Sequence, residues 1–252
     1  MASPLSLPRS PGRLEVATAG ALVALAAVAW LVTADRMSGM DMGPNTDPGA
    51  LGFFLGVWVV MMAAMMFPSV APMVAVYSRA SHGRWRGSTA VFVAGYIATW
   101  TSAGLAGSLT AVVAHDSGAI SWDGGGCYVV AAILAAAAAY QLTPLKDRCL
   151  SKCRNPLGFV VTNWHAGRAG ALRMGAEHGG WGLGCCWALM ASLFALGIMS
   201  VGWMVFAATL IAGEKLMPWK AAANRGIALL LLALAVWVAV APGSVPGLTL
   251  PM

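Results

Sequence analysis

The chain has 252 residues, of which 59% are hydrophobic and 10% are charged. Soluble domains carry roughly 25% charged residues, so this composition excludes a soluble globule and predicts one all-α, polytopic membrane domain. The formal charge of +6 does not indicate a nucleic-acid partner, because the basic residues lie beside apolar runs, where they orient a membrane protein in the lipid bilayer.

Apolar runs predict about six transmembrane helices, since one span needs about 20 residues. Arg9 and Arg13 precede the first run, and Val32-Thr33-Ala34 at its end also suits a signal-peptide cleavage site. A retained first span and a cleaved signal peptide therefore both stay open. The predicted spans are residues 14–32, 51–77, 89–113, 127–142, 182–212 and 222–240, with a cytoplasmic loop over 143–181.

The basic residues predict the orientation. If the N-terminus is cytoplasmic, that side collects eleven of the fifteen Lys and Arg residues. Arg36, Lys215, Lys220 and Arg225 are left on or near the other side. This distribution follows the positive-inside rule, and we expect a multi-pass protein of the bacterial inner membrane with both ends inside.

Two pairs of cysteines lie on the predicted cytoplasmic side. Cys149 and Cys153 are four residues apart, so a helical turn would direct both thiols the same way. Cys185 and Cys186 begin the predicted fifth span. Thiols that converge in a reducing compartment favour metal ligation or redox exchange over a structural disulfide. The alternative is that they are small buried packing residues, and this is what we expect for the isolated Cys127.

Methionines add soft sulfur ligands to two predicted spans. On an ideal helix Cys186, Met190, Gly197 and Met204 lie within about 40° of one another. In the second span, Pro68 and Pro72 predict a kink that would free backbone carbonyls. Thioethers select Cu(I) over hard ions, although methionine is equally a flexible packing residue. The second-span candidates on one face are Met61, Met62, Met65 and Met66.

Three further features of the sequence are weaker indications of a functional site. His178 lies seven residues before Cys185, but the glycines between them make one continuous helix uncertain, so its role as a ligand stays open. Met37, Met40 and Met42 resemble the ion-gathering segments of copper-uptake proteins. Glu214-Lys215 is expected to anchor a span at the interface, unless Glu214 faces the bundle and is a functional acid.

Several segments together resemble a bacterial family described as predicted metal-binding integral membrane proteins of unknown function. The resemblance covers roughly residues 51–217 and implies a multi-span membrane protein that binds metal, without implying a reaction. The segments are Met61–Pro68 with Trp58 and Pro72, Tyr140–Lys146 with Cys149, Cys153 and Arg154, Arg173–Gly175 with His178-Gly179, and Gly184–Met190 with Glu214-Lys215.

The sequence therefore predicts an inner-membrane protein that binds or moves a soft metal, with copper as Cu(I) expected before zinc. A metal-handling or membrane protein is the expected partner. Two alternatives stay open: a membrane thiol oxidoreductase, and a non-catalytic membrane subunit of a larger complex. The predicted metal ligands are Cys149, Cys153, Cys185, Cys186, His178, Met61, Met62, Met65, Met66, Met190 and Met204.

Overall fold

The computed structural model describes residues 12–37, 51–82, 87–116, 126–196, 200–217 and 219–245, and all regular structure within these ranges is helical. This confirms the all-α class. The helices are α1 (Arg13–Met37), α2 (Leu51–Ala80), α3 (Ser88–Asp116), α4 (Gly126–Gln141), α5 (Pro144–Cys153), α6 (Pro156–Thr162), α7 (Gly167–Leu196), α8 (Val201–Leu216) and α9 (Lys220–Val240), followed by a 3₁₀ turn at Pro242–Ser244.

Five of the described helices are long and apolar enough to cross a bilayer: α1, α2, α3, α7 and α9. The pair α4 and α5, bent by 69° at the break between them, makes a sixth if it is counted as one span. The break is encoded locally, since the Thr143 side chain accepts a hydrogen bond from the Lys146 backbone N–H and Pro144 occupies the first helical turn.

Helix α2 is the central element of the bundle. Pro68 and Pro72 lie inside it, and the helix continues through both. Helix α1 packs along it, joined by a 3.1 Å ion pair between Glu15 and Arg79. On another side, Trp58 Nε1 donates a 2.8 Å hydrogen bond to the Trp100 carbonyl of α3. This bond ties α2 to α3 inside the bundle.

Glycines let α3 and α7 approach closely. A Cβ placed on Gly175 would collide with the Phe92 carbonyl, and one on Gly95 would collide with the Leu172 carbonyl. Thr99 Oγ1 also lies 3.2 Å from the Ala176 carbonyl, which links the two helices. Small residues at such a crossing are typical of helix packing in lipid. Of the glycines that made a continuous α7 uncertain from the sequence, Gly179 also lies at this crossing, since a Cβ on it would come within 2.9 Å of Thr99.

Gly175→Ala should destabilise the protein by about 1–3 kcal/mol, because the new methyl group meets backbone that cannot move aside cheaply. Gly180→Ala is the matched control on the same helix, since a Cβ there meets nothing within 4 Å. The control should stabilise the helix by up to about 1 kcal/mol. Apparent melting temperatures in detergent compare the two, and equal shifts would contradict the close packing.

The prediction of one span over 182–212 is wrong. Helix α7 ends at Leu196, and α8 begins at Val201 after Ser200, whose backbone is extended. Leu189 and Leu193 of α7 line one small cavity with Phe206 and Leu210 of α8, so α8 folds back along α7. The physical reason is length, because the stretch exceeds the ~20 residues that one crossing needs. Gly197 lies outside the described residues.

The segment predicted as a loop, 143–181, is also different in the structure. It consists of α5, α6 and the first half of α7. Many of its charged residues are exposed while Phe159, Ala171 and Met174 are buried in the bundle, and Lys146 and His178 are buried with them. The basic residues hid this pattern, since their number suggested a solvated loop.

Candidate functional site

Helices α5 and α7 bring all four predicted thiol ligands together. Cys149 and Cys153 lie on α5, and the fully buried Cys185 and Cys186 lie in the second half of α7 rather than at its start. The Cys153 and Cys185 sulfurs are 3.8 Å apart, and those of Cys185 and Cys186 are 3.2 Å apart. A Cβ on Gly184 would lie 2.8 Å from the Cys149 sulfur, which places that thiol against the α7 backbone beside Cys185. We call these four residues the thiol cluster.

The sulfur separations indicate which thiols can share an ion. Two sulfurs bound at about 2.3 Å to one metal lie roughly 3.5–4.6 Å apart. The 3.8 Å between Cys153 and Cys185 falls inside that range and corresponds to an S–metal–S angle of about 110°. The 3.2 Å between Cys185 and Cys186 is shorter, so Cys186 must rotate outward before it can bind the same ion.

In the described part of the chain, no three His, Cys, Asp or Glu side chains are arranged around a common point where a metal ion would sit. The thiol cluster is therefore a chain of neighbouring sulfurs rather than a closed tetrahedral shell. Structural zinc sites have such closed shells, with four ligands. An ion bound here would be held by the Cys153 and Cys185 thiols, and a rotated Cys186 would supply a third.

Polar contacts fix the backbone around the thiols. The Tyr140 hydroxyl donates a 2.5 Å hydrogen bond to the Gly184 carbonyl, which ties the end of α4 to the turn of α7 before Cys185. The half-buried Lys215 of α8 donates to Ser69 Oγ of α2 at 3.3 Å. Lys215 also lies close enough to Cys153, Cys185 and Cys186 to interact with them electrostatically. A cation is thus placed beside the thiol cluster.

A buried ion pair lies next to the cluster and joins α5 to α8. Lys146 Nζ contacts both carboxylate oxygens of Glu214, at 2.8 and 2.7 Å, and the two side chains are 1% and 0% exposed. The Arg154 guanidinium donates to the backbone carbonyls of Glu214 and Met217. Glu214 therefore faces the bundle, which corrects the expectation of an interfacial anchor. Sequence reasoning missed Lys146 as its partner, because 68 residues separate the two.

His178 lies on the same continuous helix as Cys185 but not in the thiol cluster. Seven residues of helix separate the two by about 10 Å along the axis. The imidazole packs among aromatic rings instead, with ring centroids 5.1 Å from Phe159, 6.1 Å from Tyr96 and 6.4 Å from Phe92. Its Nδ1 is buried without a hydrogen-bond partner. The structure therefore separates His178 from the ligands with which the sequence grouped it.

The predicted methionine ligands are all buried. Met61, Met62, Met65 and Met66 of α2 are at most 2% exposed, as expected for residues that face the bundle. Helix α2 is buried on most of its described surface, however, and Ala64, Val70 and Ala71 are at most 4% exposed. Burial alone therefore does not separate ligands from packing residues, and their metal binding stays a prediction. Met190 of α7 and Met204 of α8 are 5% and 0% exposed.

The predicted ion-gathering segment falls largely outside the described residues. Met40 and Met42 lie there, while Met37 is the last residue of α1 and is 2% exposed. Met37 therefore packs against the bundle.

Comparison with known proteins gives one family. A sequence model of the family PpoB2, described as copper chaperone, matches residues 55–238, a range that contains α3 to α8 and most of α2 and α9. No curated protein and no solved structure matches. The matched range includes every predicted metal ligand.

Proposed function

This chain belongs to the copper chaperone family, and from that premise we propose that it is a bacterial inner-membrane protein that binds Cu(I) and passes it to a partner protein. The observation that carries the proposal is the 3.8 Å separation of the Cys153 and Cys185 sulfurs, which suits two thiolates on one ion. Thiolates and thioethers select Cu(I) over hard cations. Copper is the cargo, so the site has to hold it reversibly.

The charge balance of the site supports a monovalent ion. Two thiolates and one Cu(I) leave a net charge of −1 in an apolar interior, which is costly unless a positive group lies nearby. Lys215 is close enough to interact with both Cys153 and Cys185. Its position on α8 and its hydrogen bond to Ser69 on α2 hold that charge beside the ion.

Exposed apolar side chains support the membrane location. On α1, Leu25, Val28 and Leu31 are 56–73% exposed, and on α9, Leu229 and Val240 are 68% and 79% exposed. Soluble proteins rarely leave such continuous apolar faces in water. In a bilayer these faces contact lipid tails.

The reversal of the chain between α7 and α8 supports a cytoplasmic N-terminus. It also moves the chain after α9 to the opposite side of the membrane from the one that the sequence predicted. Glu214 pairs with Lys146 and Asn224 donates to Asp147 at 3.0 Å, so the end of α8 and the start of α9 lie on the side of α5. Lys215, Lys220 and Arg225 then join the cytoplasmic side, which collects fourteen of the fifteen basic residues. In this topology α8 is an additional crossing segment, the N-terminus is cytoplasmic and the chain after α9 is on the other side.

The proposal is tested by anaerobic Cu(I) titration of the reduced, purified protein against a chromophoric competitor. We expect one Cu(I) per chain, with Zn²⁺ unable to displace it. Protein that binds no copper but passes electrons from its thiols to a quinone would favour the oxidoreductase instead. Protein that does neither would leave the structural-subunit interpretation.

The methionines of α2 are proposed to line the path of the ion toward the thiol cluster. Met62→Leu with Met65→Leu should weaken Cu(I) binding about tenfold, the lower end of the range for groups that support a metal site. The fold should be retained, because Leu for Met nearly conserves volume and costs less than about 1.5 kcal/mol. The control is Met73→Leu, equally buried on α2 but outside the predicted ligand set. The same affinity in the double variant and the control would make these methionines ordinary packing.

A further inference from the structure

Cys153 differs from the other members of the thiol cluster in its access to water. It is half-buried, whereas the other three cysteines of the cluster are buried. Cys153 is the last residue of α5, and its neighbour Lys152 is exposed. A small oxidant that arrives from the cytoplasmic side of the proposed topology therefore meets Cys153 before the buried thiols.

The surroundings of Cys153 favour its reactive form. Peroxides oxidise the thiolate of a cysteine rather than the thiol, and a nearby positive charge favours the thiolate. Lys215 of α8 lies close enough to Cys153 to interact with it electrostatically. Cys153 thus combines access with a neighbouring cation, and these two features are typical of cysteines that respond to oxidants.

Cys185 is the partner best placed to form a disulfide with Cys153. The two residues lie on different helices, α5 and α7, and their sulfurs are already in contact at 3.8 Å. The sulfurs of a disulfide are about 2.05 Å apart, so the two side chains have to approach by roughly 1.8 Å. Cysteines that respond to oxidants often have such a second cysteine beside them, which closes the disulfide.

Pairs within one helix are poorer candidates, even where their sulfurs are closer. Cys185 and Cys186 have sulfurs 3.2 Å apart, but the Cα atoms of adjacent residues are only about 3.8 Å apart, below the ~4.4–6.8 Å of ordinary disulfides. Cys149 and Cys153 are one turn apart on α5, where Cβ atoms are about 5–6 Å apart and a disulfide needs roughly 3.5–4.5 Å. The contact between α5 and α7 does not have these restrictions.

We propose that Cys153 is an oxidation site at which hydrogen peroxide converts the copper-free thiol cluster to a Cys153–Cys185 disulfide that no longer binds Cu(I). In the first step the Cys153 thiolate attacks peroxide, so an S–O bond forms, the O–O bond breaks, and the hydroxide that leaves takes up a proton to become water. In the second step Cys185 loses its proton and attacks the Cys153 sulfur, so the S–S bond forms, the S–O bond breaks, and hydroxide leaves with that proton as water. Two thiols thus lose two electrons, and one peroxide is reduced to two waters.

The disulfide closes the site to copper. Metals bind the thiolate of a cysteine, and neither sulfur of a disulfide is a thiolate, so both of the thiols assigned to Cu(I) are lost. A thiol reductant restores them by exchange, and copper loading then depends on the redox state of the compartment. This consequence for copper rests on the proposed function, whereas the formation of the disulfide does not.

The test oxidises the reduced, copper-free, full-length protein in detergent with hydrogen peroxide, which is then removed with catalase. After alkylation, peptide mass spectrometry should find Cys153 joined to Cys185 within one chain and the other three of the five cysteines alkylated. An oxidised sample without alkylation should bind Cu(I) at least about 100-fold more weakly, since loss of groups that only support a metal site costs 10–100-fold. Dithiothreitol should restore the affinity.

Three variants separate the roles of the thiols. Cys185→Ser should leave Cys153 as a sulfenic acid, which dimedone labels. Cys186→Ser should still form the Cys153–Cys185 disulfide. Cys127→Ser is the control, because this thiol is outside the thiol cluster and its replacement should change neither the disulfide nor the copper affinity.

A disulfide between Cys185 and Cys186, a bond between two chains, or thiols that stay reduced at peroxide concentrations that oxidise free cysteine would overturn the proposal. Oxidised protein that binds Cu(I) as tightly as reduced protein would also overturn it. The copper proposal fails separately, if the reduced protein binds no Cu(I), and the mapped disulfide then still decides whether Cys153 is the oxidation site.

Discussion

Replacing Cys185 and Cys186 together by serine should abolish tight Cu(I) binding while leaving the helices folded. Cys185 is the centre of the thiol cluster, since its sulfur lies 3.8 Å from Cys153 and 3.2 Å from Cys186. Loss of groups that only support a metal site costs 10–100-fold in affinity, so loss of these thiols should cost at least about 100-fold. Anaerobic competition titration measures the change. Serine is close to cysteine in size, so little packing is lost.

Cys127→Ser is the matched control for this experiment. Cys127 is a half-buried free thiol on α4, and it is not part of the thiol cluster. Its replacement should leave Cu(I) affinity and stoichiometry unchanged. If the control and the double variant lose copper equally, or if neither loses it, the thiol cluster is packing and the copper site lies elsewhere.

Lys146→Met should cause the largest loss of stability among single substitutions near the site. It leaves the Glu214 carboxylate, which is 0% exposed, without its cation. Breaking a buried ion pair by removing one partner costs about 3–5 kcal/mol, because the remaining charge is not compensated. A large fall in apparent melting temperature in detergent is expected. Adding Glu214→Gln to Lys146→Met should recover much of the loss, since the buried charge is then gone.

The exposed pair of Arg173 and Glu177 provides the comparison. Its side chains are 64% and 31% exposed, so Arg173→Gln should cost less than about 1 kcal/mol. If Lys146→Met costs no more than Arg173→Gln, the Lys146–Glu214 pair does not hold α8 against α5. The position of Lys215 beside the thiols would then need another explanation.

Local sequence patterns predicted the helical class of the protein and the helical turn that carries Cys149 and Cys153. The apolar runs gave the all-α class, and the four-residue spacing of Cys149 and Cys153 correctly implied a helical turn. The grouping of both cysteine pairs followed from chain order and charge, and the structure brings them into contact. The helical class and the cysteine spacing depend on residues close together in sequence, where composition and spacing carry the information.

The direction of the chain after Leu196 could not be predicted in the same way. An apolar stretch has the same composition whether it crosses once or folds back, so 182–212 looked like one long span. The helix ends at Leu196 and restarts at Val201, and only the contacts of α8 with α7 and α5 reveal the reversal.

Long-range partners were equally hidden. Glu214 beside Lys215 at the end of an apolar run is typical of an interfacial pair, yet the carboxylate pairs with Lys146 of another helix. Gly175 and Gly179 weaken a helix by propensity alone. In the bundle they allow α3 to approach, so tertiary packing outweighs that propensity.

X-ray absorption at the copper edge of the Cu(I)-loaded, reduced protein tests the central claim most directly. The thiol cluster predicts a shell of two or three sulfur atoms at about 2.2–2.3 Å and no shell of lighter ligands. Cys153→Ser should reduce the sulfur count by one. A spectrum dominated by nitrogen or oxygen, or one that Cys153→Ser leaves unchanged, would contradict copper binding by Cys153 and Cys185.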